Sequence, residues 1–190
     1  MITHIAYNTT SGPATEPLTL AELKERVREL SKDFDDELTD LMKAAREQLE
    51  YDTHRRFITQ TVAIVTDDFP STEWMDLRIA PISAVTSIAY TDSAGDAQTF
   101  SSASYNTDFV STPPRVRVVD GVFWPAVDDI PNAVTVTVTA GYGAASAVPA
   151  SAKAAIVEHV RMNFGSCDGN PEKFDRLVGQ LAWSAVWKAL

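Results

Sequence analysis

Cysteine is nearly absent from this chain. Cys167 stands alone, so no internal disulfide is available, which fits folding in a reducing compartment. Long apolar runs are missing too; nothing approaches the roughly 18 consecutive residues that a membrane-spanning helix needs. The opening, Met1-Ile2-Thr3-His4, has no basic region leading into an apolar run, so no secretory signal is expected. Histidine is scarce: His4, His54 and His159 lie far apart, and none sits in a His-Glu-x-x-His frame. Basic side chains are outnumbered, 16 against 26 acidic, for a formal net charge of -10. A surface that grips nucleic-acid phosphates needs clustered Lys and Arg, and that class is disfavoured.

What is present describes an ordinary folded protein. The 190 residues are 45% hydrophobic and 22% charged, which suits one domain, or one domain carrying a subdomain insertion. The charge is unevenly spread. Residues 61–150 hold 10 acidic side chains and only Arg78, Arg115 and Arg117 as basic ones, whereas residues 151–190 hold 4 acidic and 5 basic. The acidity belongs mainly to the middle of the chain.

Residues 1–18, with Gly12, Pro13 and Pro17 among Thr and Ser, show no periodicity and read as an extended N-terminal arm. Thr19 with Glu22 forms a capping box, and Leu20, Leu23, Val27 and Leu30 recur as one helical stripe. A second helix is predicted from about Phe34 to Thr53, with Phe34, Leu38, Leu41, Met42, Ala45 and Leu49 on one face. Asp33, Asp35, Asp36 and Glu37 crowd its start and His54, Arg55 and Arg56 follow its end, both complementing the helix dipole. Residues 19–57 therefore read as a helical hairpin.

From Ile58 the period changes to two. Strands are predicted at residues 59–65, 74–79, 85–90, 115–119 and 134–139, separated by turn-forming clusters such as Asp92-Ser93-Ala94-Gly95-Asp96 and Thr112-Pro113-Pro114. Val134, Val136 and Val138 alternate with Thr135, Thr137 and Thr139, the pattern of a sheet buried on one face. Gly141-Tyr142-Gly143 turns the chain, and helix returns after Pro149. Ala152, Ala155, Ile156, His159, Val160 and Asn163 line one side. After a loop from Gly165 to Pro171, a fourth helix is marked by Phe174, Leu177, Val178, Leu181 and Ala185. Strands grouped between helices indicate an α+β fold. The simplest arrangement is a helical bundle, two N-terminal and two C-terminal helices, with an antiparallel β-sheet or small sandwich inserted at 58–148 and closed by helices in 149–190.

No catalytic constellation emerges. Asp33-Phe34-Asp35-Asp36-Glu37 lacks the calcium-loop pattern, with Leu38 and Ala44 where glycine and glutamate belong. Asp67-Asp68 and Asp128-Asp129 are carboxylate pairs in turns beside Pro70 and Pro131. Cys167 has no partner Cys or His nearby in sequence. No glycine-rich phosphate loop or nucleophile elbow occurs, so neither a cofactor nor a metal is expected. Two features suit partner binding. Arg55-Arg56 is the only adjacent basic pair, and the near-uncharged end of the chain carries Trp183, Trp187 and Leu190, aromatic anchors of the kind found at interfaces.

Four stretches resemble the head–tail connector (head-completion or adaptor) proteins of tailed bacteriophages and related particles. They are residues 16–24, Glu16-Pro17-Leu18-Thr19-Leu20-Ala21-Glu22-Leu23-Lys24; the helix from Asp35-Asp36-Glu37-Leu38 through Ala44-Ala45-Arg46 into Arg56-Phe57-Ile58-Thr59-Gln60-Thr61; Arg78-Ile79-Ala80-Pro81-Ile82-Ser83-Ala84-Val85-Thr86-Ser87-Ile88; and Asn132 through Gly143, followed by Val148-Pro149 and Lys153-Ala154-Ala155-Ile156. Each is a strand, a turn or a helix start; their shared order over about residues 16–165 carries the resemblance. It implies a non-enzymatic virion protein, assembled in the host bacterial cytoplasm, that forms a homo-oligomeric ring, commonly twelve-fold, beneath the portal protein. It would extend the channel through which genomic DNA passes without specific binding, touch no membrane, and offer a platform for the next connector, stopper or tail terminator.

Two other readings compete. One is a β-sandwich binding module for carbohydrate or a host surface, with Trp74, Tyr90, Tyr105, Phe123 and Trp124 as stacking surfaces. The other is a small hydrolase using one of the Asp pairs, which requires a cleft and a raised carboxyl pKa.

Overall fold

The computed structural model describes residues 5–165 and 169–182. The fold is α+β, and the chain divides into a β unit (up to Gly12, and Gln60–Gly141) and a helical unit (Pro13–Thr59, and from Tyr142 on). Each has its own hydrophobic core.

In the helical unit, α1 (Leu20–Val27) starts as its capping box predicts: the Thr19 hydroxyl accepts from the Glu22 N–H at 3.2 Å and the Glu22 carboxylate accepts from the Thr19 N–H at 2.8 Å. It stops earlier than its apolar stripe suggests. Arg28 turns left-handed, so Leu30 falls outside the helix and is 75% exposed. A single 3-10 turn, Lys32–Phe34, leads into α2 (Asp35–Thr53), where Lys24 ion-pairs with Asp35. Leu38, Met42, Ala45 and Leu49 are buried as expected, while Phe34 lies at the edge and meets Phe164 edge-on at 5.4 Å.

The last two helices are α3 (Ala150–Asn163) and α4 (Pro171–Leu181). α4 begins three residues before its first apolar marker. The Asn170 side chain accepts from the Lys173 N–H at 2.9 Å, and Pro171 occupies the first turn, where its missing N–H costs nothing. Leu23, Leu38, Leu49, Phe57, Ile156 and Val160 form the centre of this unit's core.

The β unit contains two antiparallel sheets. The larger has the order β1-β2-β8-β4-β5, comprising β1 (Ile5–Ser11), β2 (Gln60–Thr66), β8 (Val134–Ala140), β4 (Ile82–Thr91) and β5 (Ala97–Thr99). The smaller has the order β3-β7-β6, from β3 (Trp74–Asp76), β7 (Arg115–Val118) and β6 (Tyr105–Asp108). The two share one core, in which Met75 and Val116 of the small sheet join Val62, Ile64, Ile88 and Val136 of the large one.

β8 is central and alternates as its sequence does: Val134, Val136 and Val138 are fully buried and the threonines between them are not. At its end Gly141 (φ 129°) and Gly143 (φ 116°) adopt backbone that favours glycine. There the Tyr142 N–H reaches the Phe57 carbonyl at 3.1 Å.

Residues 5–11 correct one expectation. The N-terminal arm is extended but not free, because Ile5 to Thr9 pair one-to-one with Thr66 to Val62 as the first strand of the large sheet. Polar Asn, Thr and Ser with only half-buried Ile5 and Tyr7 leave almost no alternation to detect. The same holds for β5 and β6, which are three and four residues long.

Candidate interaction surfaces

Arg55 follows the left-handed His54 that ends α2. Its Nε donates to the Leu181 carbonyl at 2.6 Å and one Nη to the Tyr142 hydroxyl at 2.7 Å. Leu181 ends α4, so Arg55 places a cation on carbonyls that the helix leaves unsatisfied. Arg56 donates to the carbonyls of Arg55 at 3.0 Å and Glu50 at 3.4 Å. Both guanidiniums thus hold the chain's own carbonyls, and Arg55 ties the end of α2 to the end of α4. Trp183, Trp187 and Leu190, the other partner-binding candidates, lie outside the described residues, as do Cys167 and His4.

Two buried charge clusters in the helical unit escaped the sequence reading. Arg46, only 6% exposed, meets Glu16 at 2.8 Å, Glu47 at 3.1 Å and Glu50 at 3.2 Å, while Glu50 also accepts from the Phe57 N–H at 2.8 Å. Glu158 on α3 accepts from the Asn170 N–H at 2.6 Å and from Lys173 Nζ at 2.7 Å. Burial opposes its charge, but Lys173 and the Asn170 N–H outweigh that and hold its carboxyl below the ordinary range. Spacing gives a partial signal for Arg46 and Glu50, which stand four apart on α2. Glu16 and Asn170 are too distant in sequence to be foreseen.

The outer face of the small sheet gathers two of the three arginines in residues 61–150. Cross-strand register sets Trp74, Arg117 and Asn106 in one row and Asp76, Arg115 and Asp108 in the next. The Arg115 guanidinium lies 4.1 Å from the Trp74 ring centre. Arg117 binds Glu73 through Nε at 3.0 Å and Nη at 2.8 Å, and Asp120 at 2.9 Å. Arg115 donates to Asp108 at 3.0 Å. The Ser111 hydroxyl and N–H, then Arg115, lower the Asp108 carboxyl to about 2. Four carboxylates (Glu73, Asp76, Asp108, Asp120) surround two arginines, so even here no free cationic patch faces outward.

The aromatics proposed as a stacking surface divide. Tyr90, Tyr105 and Trp124 turn toward Phe69 and Phe100: Trp124 stacks on Phe69 at 4.9 Å and lies 5.4 Å from Phe100, while Tyr90 lies 5.7 Å from Phe69 and Tyr105 6.1 Å from Phe100. They seal the β core instead of forming a platform. Phe123, 84% exposed, and Trp74, 38% exposed, remain at the surface.

The carboxylate pairs serve turns. Asp67 accepts from the Asn132 N–H at 2.8 Å, Asp68 from Phe69 at 2.6 Å and Asp128 from Asp129 at 2.9 Å. Among the described residues no group of three or more His, Cys, Asp or Glu could hold a metal ion. No helix among them is long and apolar enough to cross a membrane.

No family model and no curated protein matches the chain. Solved structures do. The fold is similar to that of a chain in the neck of an empty GTA particle computed with C6 symmetry (TM-score 0.74, 20% identity, covering 93% of this chain and 95% of that one). It is similar also to chains in the virion of a native gene transfer agent (GTA) particle and in the neck of the native particle computed with C12 symmetry. Each of these has a TM-score of 0.75 and 20% identity, and covers 93% of this chain and 94% of the other. Over nearly its whole length, helical bundle and inserted sheets together, this chain has the fold of a virion neck protein of a phage-like particle.

Proposed function

We propose that this chain is a head–tail connector subunit. It forms a ring, twelve-fold as the resemblance implies, that seats beneath the portal of a filled head, extends the DNA channel and presents a platform for the next connector or tail component. The observation that carries this reading is the whole-length fold likeness to chains of symmetric particle necks. A likeness confined to one unit would speak only for a reused module.

Charge supports the same reading. A channel wall must let DNA slide, and a wall rich in free Lys and Arg would hold phosphates. This chain has a formal charge of -10. The two arginines on the small sheet's outer face are each engaged by carboxylates. The role is structural and not enzymatic: of the two Asp pairs that a hydrolase would need, Asp67, Asp68 and Asp128 accept from backbone N–H groups. The portal contact falls to the C-terminal segment with Trp183, Trp187 and Leu190, which follows α4 in the sequence.

The test is to add the purified chain to DNA-filled, tailless particles from its source and image the portal vertex by electron microscopy. A closed ring of added density is the expected result, and a bare vertex at saturating protein overturns the proposal. A truncation lacking residues 183–190 should leave the fold intact and the vertex empty; undiminished binding would remove the tail from the portal contact.

A further inference from the structure

An exposed strand edge is usually guarded by lysine, proline, bulges or shortness, because its free N–H and C=O groups will pair with any passing strand. The first edge of the large sheet lacks most of these guards. Residues 1–15 contain no Asp, Glu, Lys or Arg in a chain that is 22% charged, and residues 5–11 contain no proline. β1 is seven residues long, and it is regular from Ile5 to Thr9, its one register shift falling between Thr9 and Ser11. Ala6, Asn8, Thr9, Thr10 and Ser11 are all exposed.

The opposite side of the sheet has a matching opening. β5 covers only Ala89–Thr91 of the ten-residue β4. Beyond the Phe100 N–H, which reaches the Ile88 carbonyl, no strand among the described residues flanks Ile82–Ser87 on the side away from β8. Ser83, Ala84 and Thr86 there are exposed, and residues 79–91 again carry no charge. Freedom from charge in the central β8 follows from its burial. At two exposed edges burial explains nothing, and a covering strand does.

We propose that the large sheet continues from one copy of this chain into the next, the edge of β1 pairing antiparallel with the open half of β4 in a second copy. The inference rests on the ring reading, and topology supplies the geometry. β1, β2, β8 and β4 are four strands, each antiparallel to its neighbour. Rotation about an axis running along the strands therefore brings β4 of one copy beside β1 of the next in opposite directions, ready for an antiparallel ladder. A ring needs this kind of head-to-tail contact between two different patches. It also needs the contact to avoid charge, since each copy carries a formal -10. The two register shifts of β4, between Ile82 and Ala84 and between Val85 and Ser87, increase local twist, as a sheet curving around an axis requires.

The test uses full-length chain in a Cys167→Ser background, mixed with the tailless particles. Asn8→Cys is combined in turn with Ser83→Cys, Ala84→Cys and Thr86→Cys, and the vertex-bound protein is oxidised. Within one copy the two edges lie three strand spacings apart, about 14 Å, too far for a disulfide. A ladder of covalent multimers in at least one pair is expected. Dimers from Asn8→Cys alone, without a ladder, would replace the proposal with a two-fold β1–β1 contact. Rings visible on the vertex with no ladder in any pair would overturn the edge pairing and leave the connector reading standing; unmodified protein that forms no ring overturns both. A second variant, Ala6→Lys with Asn8→Lys, places charge at exposed positions and should keep the wild-type circular dichroism while losing the ring. Rings of normal occupancy from this folded variant would also overturn the proposal.

Discussion

The two units of this protein use charge in opposite ways. The helical unit takes ionised groups inside: Arg46 and Glu50 on α2, and Glu158 on α3, are almost fully buried, each tying a loop or a chain entry to a helix. The β unit has no Asp, Glu, Lys or Arg among its buried described residues, and displays Arg115 and Arg117 among carboxylates on one outer face. A helix satisfies its own backbone and has side chains to spare for holding connections. A two-sheet core is filled from both sides and has no room for an unpaired charge.

That contrast can be broken. Arg46→Ala should cost about 4 kcal/mol by denaturant unfolding, because Glu50 is left as a buried charge, and Glu16 as a partly buried one, without their cation. A loss no larger than that of a surface substitution would show that water reaches the cluster and that the charges are not interior at all. In the β unit the comparable injury is a void: Ile88→Ala, at a fully buried position, should cost about 3 kcal/mol in the same assay.

The smallest effect is read as a slope against pH. Asp108 titrates near 2 in the fold, held there by Ser111 and then Arg115, against about 3.9 for a free aspartate. Its contribution is present above pH 4 and is lost as pH falls from there through 2, because over that span the unfolded chain takes up a proton that the folded state does not. Asp108→Asn should therefore flatten the fall of the thermal midpoint over that acid window while leaving its neutral value little changed. An unaltered acid slope would assign that slope to other carboxylates.

Much of the architecture was legible because it rests on local chemistry. The capping box at Thr19, the acidic first turn of α2, the valine–threonine alternation of β8 and the glycines at 141 and 143 each announce themselves within a few residues. What stayed hidden depends on partners far away. β1 has no period of its own and becomes a strand only because β2 offers it an edge. Arg55 read as a surface cation; its carbonyl partner is 126 residues on. Aromatics such as Tyr90 and Trp124 looked available for stacking, and nothing local indicates that Phe69 and Phe100 have already claimed them. The absence of charge from residues 1–15 and 79–91 is visible in the sequence, but it gains meaning only once the strands within them, Ile5–Ser11 and Ile82–Thr91, prove to carry open sheet edges.

The place of β1 in the sheet also dictates an order of events in time. It leaves the ribosome before β2, and the strand it needs arrives with α1 and α2 between them; Thr10 bonds to the Thr61 carbonyl across 51 residues. Chains made at about 5–20 residues per second leave β1 waiting for seconds. During that interval its polar, uncharged sequence keeps it dissolved, where a hydrophobic strand would recruit the nascent chain beside it.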